Sequence, residues 1–177
     1  ATNNTATPHS IGTFSGAFLG GTRPNRFRIK GKGPVGDVLW ETHCMASTMP
    51  ESVVGIITIP FRGRIYKFPG DRTYNEWSVT VLDDHSEKAS WNKLHEWSEL
   101  FNGHATNVAN DVKQTGSFSQ EITIEHLGHN QAADPLKTIK LQNAWPTIVG
   151  PVELNMGNAN TLTTYQVTFA YTHYLIS

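Results

Sequence analysis

Apolar and polar residues alternate along several stretches of the chain, a pattern that predicts β-strands. In Trp77–Leu82 the odd-numbered positions are Trp and Val, whereas Ser and Thr fill two of the three even-numbered positions. In the run 161–174 the odd positions from 165 to 171 are Tyr, Val, Phe and Tyr. Further runs at 27–30, 38–45, 118–127, 139–144 and 152–156, with a hairpin, give about eight strands. The pattern predicts a mainly β protein, an antiparallel β-sandwich or barrel with one packed α-helix.

The hairpin is predicted over residues 53–68. Its strands would be 53–59 and 65–68, with Gly63 supplying the turn between them. The first strand is β-branched and uncharged, so its edge would associate with another strand if it were left exposed. Pro69 and Gly70 then predict a turn before the next strand, because proline fixes φ and glycine can adopt positive φ.

The helix is predicted over residues 86–102. Apolar side chains recur there at spacings of three and four residues, which places Trp91, Trp97 and Phe101 on the face that packs against the sheet. Burying Trp91 and Phe101 would contribute roughly 2–3 kcal/mol each. Trp77 and Trp145 complete the predicted core around the docked helix, and residues 145–147, Trp-Pro-Thr, predict a bend.

Two regions differ in composition. Residues 1–22 are rich in Thr, Asn, Ala, Ser and Gly and contain no Asp, Glu, Lys or Arg. They predict a flexible N-terminal arm, which is either a disordered tail or a segment that orders against a neighbouring subunit. Residues 23–177 predict a single domain, because this length suffices for one sizeable core.

The overall composition excludes several classes of protein. A formal net charge of −1 leaves no basic surface for phosphate-driven binding of nucleic acid. Cys44 is the single cysteine of the sequence, which excludes an intramolecular disulfide framework. Together with the absence of a signal-peptide pattern, it predicts that the chain folds in a cytoplasm. No apolar run is long enough to cross a membrane. A charged fraction of 16% suits a protein whose surface is covered by copies of itself.

No convergent set of catalytic or metal-binding residues is found. His126 and His129 have His-x-x-His spacing, but strand residues three apart point to opposite faces, and no cysteine pair accompanies them. The glycine-rich run 31–36 lacks the Lys-Ser/Thr ending of a phosphate-binding loop. No serine or cysteine lies in a nucleophile motif. We therefore predict no enzymatic activity, no metal and no cofactor.

Several motifs together resemble the tail tube proteins of contractile-tailed, T4-like bacteriophages. In the first half of the chain they are Pro-Asn-Arg-Phe at 24–27, Cys-Met-Ala-Ser-Thr-Met-Pro at 44–50, Pro-Gly-Asp-Arg-Thr at 69–73 and Trp-Ser-Val-Thr-Val at 77–81. The helix with Trp97 follows. The last motifs are Trp-Pro-Thr at 145–147, then Gly150 and a Val-Glu-Leu strand, and finally the run 161–174. The resemblance covers the chain from about residue 23 to its end. It implies a β-barrel-like sandwich that forms hexameric rings, which stack into a hollow tube inside a contractile sheath.

The resemblance also implies partners and a location. The subunit would contact copies of itself, the tail sheath protein, the tape measure protein, the baseplate tube initiator and the tail terminator, but no membrane. It would be assembled in the host cytoplasm and reside in the virion tail. DNA would pass through the lumen without specific binding, so we expect lumen-facing side chains to be polar or acidic.

The subunit interface is predicted on the hairpin and beside it. A head-to-tail contact closes into a ring when its rotation allows, and neighbours would then cover the hairpin edge. The predicted interface residues are Val53, Val54, Ile56, Phe61, Arg62, Arg64, Asp71 and Arg72. Two alternatives stay open: the tube of a tailocin or other contractile injection system, and a soluble β-sandwich carbohydrate-binding module.

Overall fold

The computed structural model describes residues 11–18, 21–31, 33–34, 43–84, 91–108, 118–128 and 135–177. Within them lie two helices, α1 (Ile11–Ala17) and α2 (Trp91–Glu99). The strands are β1 (Phe27–Gly31), β2 (Cys44–Ser47), β3 (Ser52–Phe61), β4 (Arg64–Tyr74), β5 (Trp77–Leu82), β6 (Gln120–His126), β7 (Lys137–Val149), β8 (Thr164–Ala170) and β9 (His173–Ile176).

Strand β7 links two layers of one seven-stranded antiparallel sheet. The strand order is β1-β6-β7-β8-β5-β2, and β9 also pairs with β7. Residues 137–144 of β7 pair with β6 and β9, whereas residues 145–149 pair with β8. We call β1, β6, β9 and the first part of β7 layer A, and β2, β5, β8 and the second part of β7 layer B. The predicted mainly β, antiparallel fold is confirmed.

Buried side chains from both layers and from α2 form a single apolar cluster. In most of the strands they are alternate residues, as the sequence pattern predicts. Layer A contributes Ile29, Ile122, Ile124, Ile139 and Leu141, layer B contributes Trp77, Val79, Val81, Tyr165, Val167 and Phe169, and α2 contributes Leu94 and Trp97. The two layers and the helix therefore share one core.

The indole groups at the centre of this core are hydrogen-bonded as well as buried. Trp77 and Trp97 are each 1% exposed. Their indole N–H groups donate to the backbone oxygens of Thr48 and Phe118, both at 2.7 Å. An indole buried without such a partner would leave an unsatisfied donor, so these bonds specify how each ring is oriented.

The two other tryptophans assigned to the core lie at its margin. Trp91 is partly buried, and its indole N–H donates to the Gly150 oxygen at 2.9 Å. Phe101 meets the ring of Trp145 edge to face, with ring centres 5.6 Å apart. Both contacts join the region of α2 to β7 and to the turn that follows it.

Strand β7 can serve both layers because its side-chain alternation is reset at Asn143. Ile139 and Leu141 are buried before this residue, whereas Ala144 and Pro146 are buried after it. The pairing with β6 shifts register at this point, and Asn143 has a φ of 56°. One extra residue in a strand reverses the faces that later side chains occupy. Asparagine adopts this left-handed conformation more readily than most residues.

Two predictions about the chain after residue 144 are wrong. Residues 145–147 do not form a bend but continue β7, where a second register shift lies between Pro146 and Ile148. Residues 152–156 are coil rather than a strand. Pro151 has no N–H to donate to a ladder, and within the described part of the chain no strand pairs with this segment.

Other predicted elements differ at their ends. Helix α2 is described from Trp91, since residues 86–90 lie outside the described ranges, and it ends at Glu99 in a tighter turn. The predicted strand 38–45 is described only from residue 43, and β2 extends beyond it to Ser47. The run 161–174 is divided between β8 and β9. Helix α1 lies within residues 1–22, whose flexibility stays a prediction.

Substitutions at Asn143 test the explanation of the register shift. Asn143→Gly should keep the free energy of unfolding within about 0.5 kcal/mol of wild type, because glycine adopts positive φ freely. Asn143→Val should lower it by about 1–2 kcal/mol, because a β-branched residue is strained there. Urea unfolding followed by tryptophan fluorescence measures both values. Equal losses in the two variants would contradict this explanation.

Candidate assembly surface

Strands β3 and β4 form a two-stranded sheet separate from the layered sheet. Their pairing runs from Ser52 opposite Tyr74 to Phe61 opposite Arg64. The connecting loop has two residues, Arg62 with a φ of 47° and Gly63 with a φ of 79°. Positive φ at both positions is typical of a type I′ turn, whose twist matches that of two paired strands. The turn therefore lies where the sequence predicts it.

The turn predicted at Pro69 and Gly70 is wrong, because β4 continues through both residues to Tyr74. The register instead shifts here, where Gly70 and Asp71 of β4 together face the single residue Gly55 of β3. A Cβ atom on Gly70 would lie 3.2 Å from the Gly55 oxygen. Glycine is therefore needed here for the close approach of two backbones at a bulge, rather than for positive φ.

Large apolar side chains cover the hairpin and are exposed. Nine of them are between 41% and 67% exposed: Val53, Val54, Ile56, Ile57, Ile59, Phe61, Ile65, Tyr66 and Phe68. Single apolar residues on a surface are ordinary, whereas a contiguous set on one element marks an interaction site. Four residues predicted at the interface, Val53, Val54, Ile56 and Phe61, belong to this set.

Positive charge is concentrated on the same hairpin. Its charged residues are Arg62, Arg64, Lys67, Asp71 and Arg72. The guanidinium carbon of Arg62 lies 5.4 Å from the ring centre of Phe61, an arrangement that presents charge and apolar surface together. The Arg72 Nη1 instead donates to Ser52 Oγ at 3.2 Å. The predicted arginines therefore divide between the hairpin tip, with Arg62 and Arg64, and its base, with Arg72.

Three tyrosines and one shared hydroxyl hold the base of the hairpin, which we call the hairpin root. The ring of Tyr74 on β4 lies 5.4 Å from that of Tyr174 on β9 and 6.0 Å from that of Tyr171. Tyr174 Oη donates to Ser52 Oγ at 3.2 Å, the same oxygen that accepts from Arg72. The root thus connects the hairpin to the chain that follows β8.

The Tyr171 hydroxyl at the root remains protonated at neutral pH. It donates to the backbone oxygen of Glu51 at 3.4 Å. Burial, and then the neighbouring Tyr174, Tyr74 and Glu51, raise the pKa of Tyr171 to about 12. Sequence reasoning missed this cluster, because its members come from separate strands and each has the pattern of an ordinary strand residue.

No metal centre accompanies the hairpin in the described ranges. There, no group of three or more His, Cys, Asp or Glu side chains could hold a metal ion. His126 Nε2 lies 3.1 Å from the Arg23 oxygen, and His129 lies outside the described residues. Neither described helix has the length and apolar character needed to span a bilayer.

Comparison with known proteins shows the family. The family model described as phage tail tube protein matches residues 28–177. The chain belongs to the phage tail tube protein family. Tail tube protein gp19 of Enterobacteria phage T4 is 29% identical to it over 130 residues, which cover 72% of this chain and 76% of gp19. The tail tube protein of Serratia phage KSP90 is 27% identical over 127 residues, covering 72% and 69%. The predicted resemblance is confirmed, and the protein is a tail tube subunit.

Solved structures share the fold of this tail tube protein. The sheath/tube terminator of PVC, an extracellular contractile injection system, is 14% identical with a TM-score of 0.68, covering 91% of this chain and 99% of its own. The tube-terminating cap of the anti-feeding prophage is 17% identical with a TM-score of 0.64, covering 91% and 93%. At these identities the likeness concerns the fold. The family assignment supports the tube prediction over the carbohydrate-binding alternative.

Removing the root hydrogen bonds tests whether they set the direction of the hairpin. Tyr174→Phe and Ser52→Ala should each lower the free energy of unfolding by only about 1 kcal/mol. Both should broaden the distance distribution between spin labels at Arg64→Cys and Gln166→Cys, measured by double electron–electron resonance. Tyr66→Phe, which removes a hairpin hydroxyl away from the root, is the matched control. Unchanged distributions in the two root variants would contradict the assignment.

Proposed function

We propose that this tail tube protein forms hexameric rings, which stack into the hollow inner tube of a contractile phage tail. The observation that carries the proposal is the exposed apolar hairpin β3–β4, which a neighbouring copy would cover. A contact between two different surfaces of identical subunits repeats until it closes into a ring or continues as a filament. The ring number of six rests on the family resemblance.

Free strand edges give neighbouring copies a second means of attachment. Strands β1 and β2 lie at the two ends of the strand order, and β3 and β4 pair only with each other within the described residues. Such edges associate with other strands unless they are protected. Val53, Val54 and Ile56 lie on β3, so we assign this strand to the subunit interface together with the tip residues Phe61, Arg62 and Arg64. Asp71 and Arg72 complete the proposed interface.

The outward face of layer A carries ion pairs. Arg28 Nη2 and Lys30 Nζ lie 2.6 and 3.0 Å from the two carboxylate oxygens of Glu125. Burial of Glu125 raises its pKa, but hydrogen bonds from Lys30 and Arg28 and their positive charges outweigh burial, so the pKa lies below its ordinary value. Lys140 Nζ lies 3.4 Å from a Glu121 oxygen on the same face.

The outward face of layer B has a different character. Its residues on β5 and β8 are Ser78, Thr80, Leu82, Thr164, Gln166, Thr168 and Ala170, all of them uncharged. The hydroxyls of Ser78 and Thr168 lie 3.2 Å apart. A wall without fixed cations does not retain a polyanion. We therefore assign this face to the lumen.

The proposal extends to the partners and location of the tube. Related structures are described as a sheath–tube complex, a baseplate and a tube-terminating cap. By analogy, this subunit would contact a sheath, a baseplate tube initiator and a terminator, with a tape measure protein and later the DNA inside the tube. It would be assembled in the host cytoplasm, become part of the virion, and act without catalysis, cofactor or membrane contact.

The alternative is a tube in a tailocin or other contractile injection system. The fold likeness to PVC and anti-feeding prophage proteins permits it. The more similar sequences at 27–29% identity are tail tube proteins of phages, which favours the phage tail.

Electron microscopy of the purified protein tests the tube assignment. We expect hollow rods or rings, formed spontaneously or on a baseplate seed. Val54→Lys should abolish them, because an unpaired charge at a buried interface is costly, whereas Leu136→Lys at an exposed site away from the hairpin should not. Asp71→Ala and Arg72→Ala should each reduce the yield of tubes more than they lower the thermal stability of the isolated subunit. A wild-type protein that stays monomeric on a seed would contradict the assignment.

A heavy-atom label tests which layer faces the lumen. Thr80→Cys and Thr138→Cys place a thiol on the outward faces of layers B and A, respectively. Burial raises the pKa of the native Cys44 thiol to about 12, despite a backbone hydrogen bond at Ala46, so this thiol reacts slowly. After assembly, small gold labels at Thr80→Cys should appear inside the bore in projection images, and those at Thr138→Cys outside it. The reverse pattern would overturn the assignment.

A further inference from the structure

The two ends of layer B carry different structures. At one end of β5, Trp77 follows the hairpin after two residues. At the other end, Leu82 leads to Asp83, whose N–H donates to the Thr163 oxygen at 2.8 Å. Thr163 ends the coil 151–163 between β7 and β8, which we call the receiving segment. The six residues of β5 separate the two ends by about 17 Å, so the hairpin root and the receiving segment lie at opposite ends of one layer.

The receiving segment exposes large apolar side chains. Leu154 is 87% exposed, Met156 104% and Leu162 76%. Its sequence alternates like a strand, but before Thr163 its described hydrogen bonds are local, such as that from Gly157 N–H to Asn155 Oδ1 at 2.9 Å. A segment with strand-like sequence and exposed apolar residues is suited to ordering against another surface.

The charges at the two ends of layer B are complementary. The hairpin carries four cationic side chains and one anionic side chain, and Glu51 and Glu76 adjoin its base, so its excess of positive charge lies towards the tip, with Arg62 and Arg64. The receiving segment contains Glu153 and no Lys or Arg, and Asp83 and Asp84 adjoin it. Of these three carboxylates, Asp84 also lies 3.0 Å from His43 Nε2. Opposite charges at opposite ends favour head-to-tail contact between copies over contact between like ends.

Two open depressions provide space at the acidic end. One, of 390 Å³, is lined by residues that include Glu153, Leu154 and Leu162. The other, of 470 Å³, is lined by residues that include Asp83, Trp91 and Leu154. Each combines apolar side chains with a carboxylate, which matches the hairpin tip, where Arg62 lies over Phe61.

We infer that the receiving segment of one subunit binds the hairpin tip of a copy in the next ring, with Leu154 and Leu162 against Phe61 and Ile65, and Glu153 and Asp83 facing Arg62 and Arg64. The inference rests on the proposed function and adds to it the surface that the hairpin tip meets in the next ring, while strand β3 is left to the contact within the ring. Because the two surfaces differ and lie at opposite ends of layer B, the contact repeats without closing, as axial growth of a tube requires.

Two blocking substitutions test the pairing. Leu154→Asp blocks the receiving segment and Phe61→Asp blocks the hairpin tip. Each should slow elongation from wild-type tube seeds at least about tenfold, since each places an unpaired carboxylate in an apolar contact. Leu136→Asp, at an exposed leucine that belongs to neither surface, should elongate like wild type. In an equimolar mixture of the two blocked variants, the intact hairpin of the Leu154→Asp protein can still bind the intact receiving segment of the Phe61→Asp protein. The mixture should therefore form one such contact and then stop growing.

Cross-linking identifies the contact directly. After addition of a mild oxidant, Arg62→Cys in one protein and Asn155→Cys in another should form a mixed disulfide in copolymerised tubes, with few homodimers of either variant. If wild-type protein forms tubes, but the two cysteine variants copolymerise without this disulfide and Leu154→Asp elongates normally, the inference is overturned and the tube function stands. A wild-type protein that forms no tubes on a seed would instead overturn the proposed function, and this contact with it.

Discussion

The fold depends on one strand serving two layers. Strand β7 pairs with β6 and β9 in its first part and with β8 in its second. The two layers can therefore share one core only if the buried side chains of β7 face inward along its whole length. Asn143 makes this possible, because its left-handed conformation adds one residue and resets the alternation between Leu141 and Ala144. Without the reset, the now buried Ala144 and Pro146 would face outward, and Trp145 and Thr147 would face the core instead.

The hairpin β3–β4, in contrast, exposes its apolar side chains. It shares no core with the layers, and nine of its large apolar side chains are exposed in the isolated subunit. What the single chain provides is a defined base, where Tyr74 and Tyr174 pack together and Ser52 accepts two hydrogen bonds. An arm with a fixed base and an uncovered surface loses less conformational freedom on binding than a disordered arm. This combination suits the proposed assembly, in which copies of the subunit cover the hairpin.

The two ends of layer B differ in charge. The tip of its hairpin is basic, the end with Asp83 and Glu153 is acidic, and the outward face of its strands is uncharged. Layer A differs, since Glu125 and Glu121 pair there with cations across neighbouring strands. A subunit with unlike ends and unlike faces assembles in one orientation, because each wrong pairing juxtaposes like charges or leaves apolar surface exposed.

The sequence by itself determined the strand class, the position of β5, the alternation within β8, the Gly63 turn and the family, because alternation and turn chemistry are local properties and the motifs extend along most of the chain. It also drew attention to the hairpin, since a β-branched, uncharged strand is costly to expose. Only the tertiary structure decided that Gly70 serves a close backbone approach, that residues 152–156 are coil, and that Tyr74, Tyr171 and Tyr174 meet. Each of these depends on which strands become neighbours, and that is settled by packing across the whole core rather than by any local pattern.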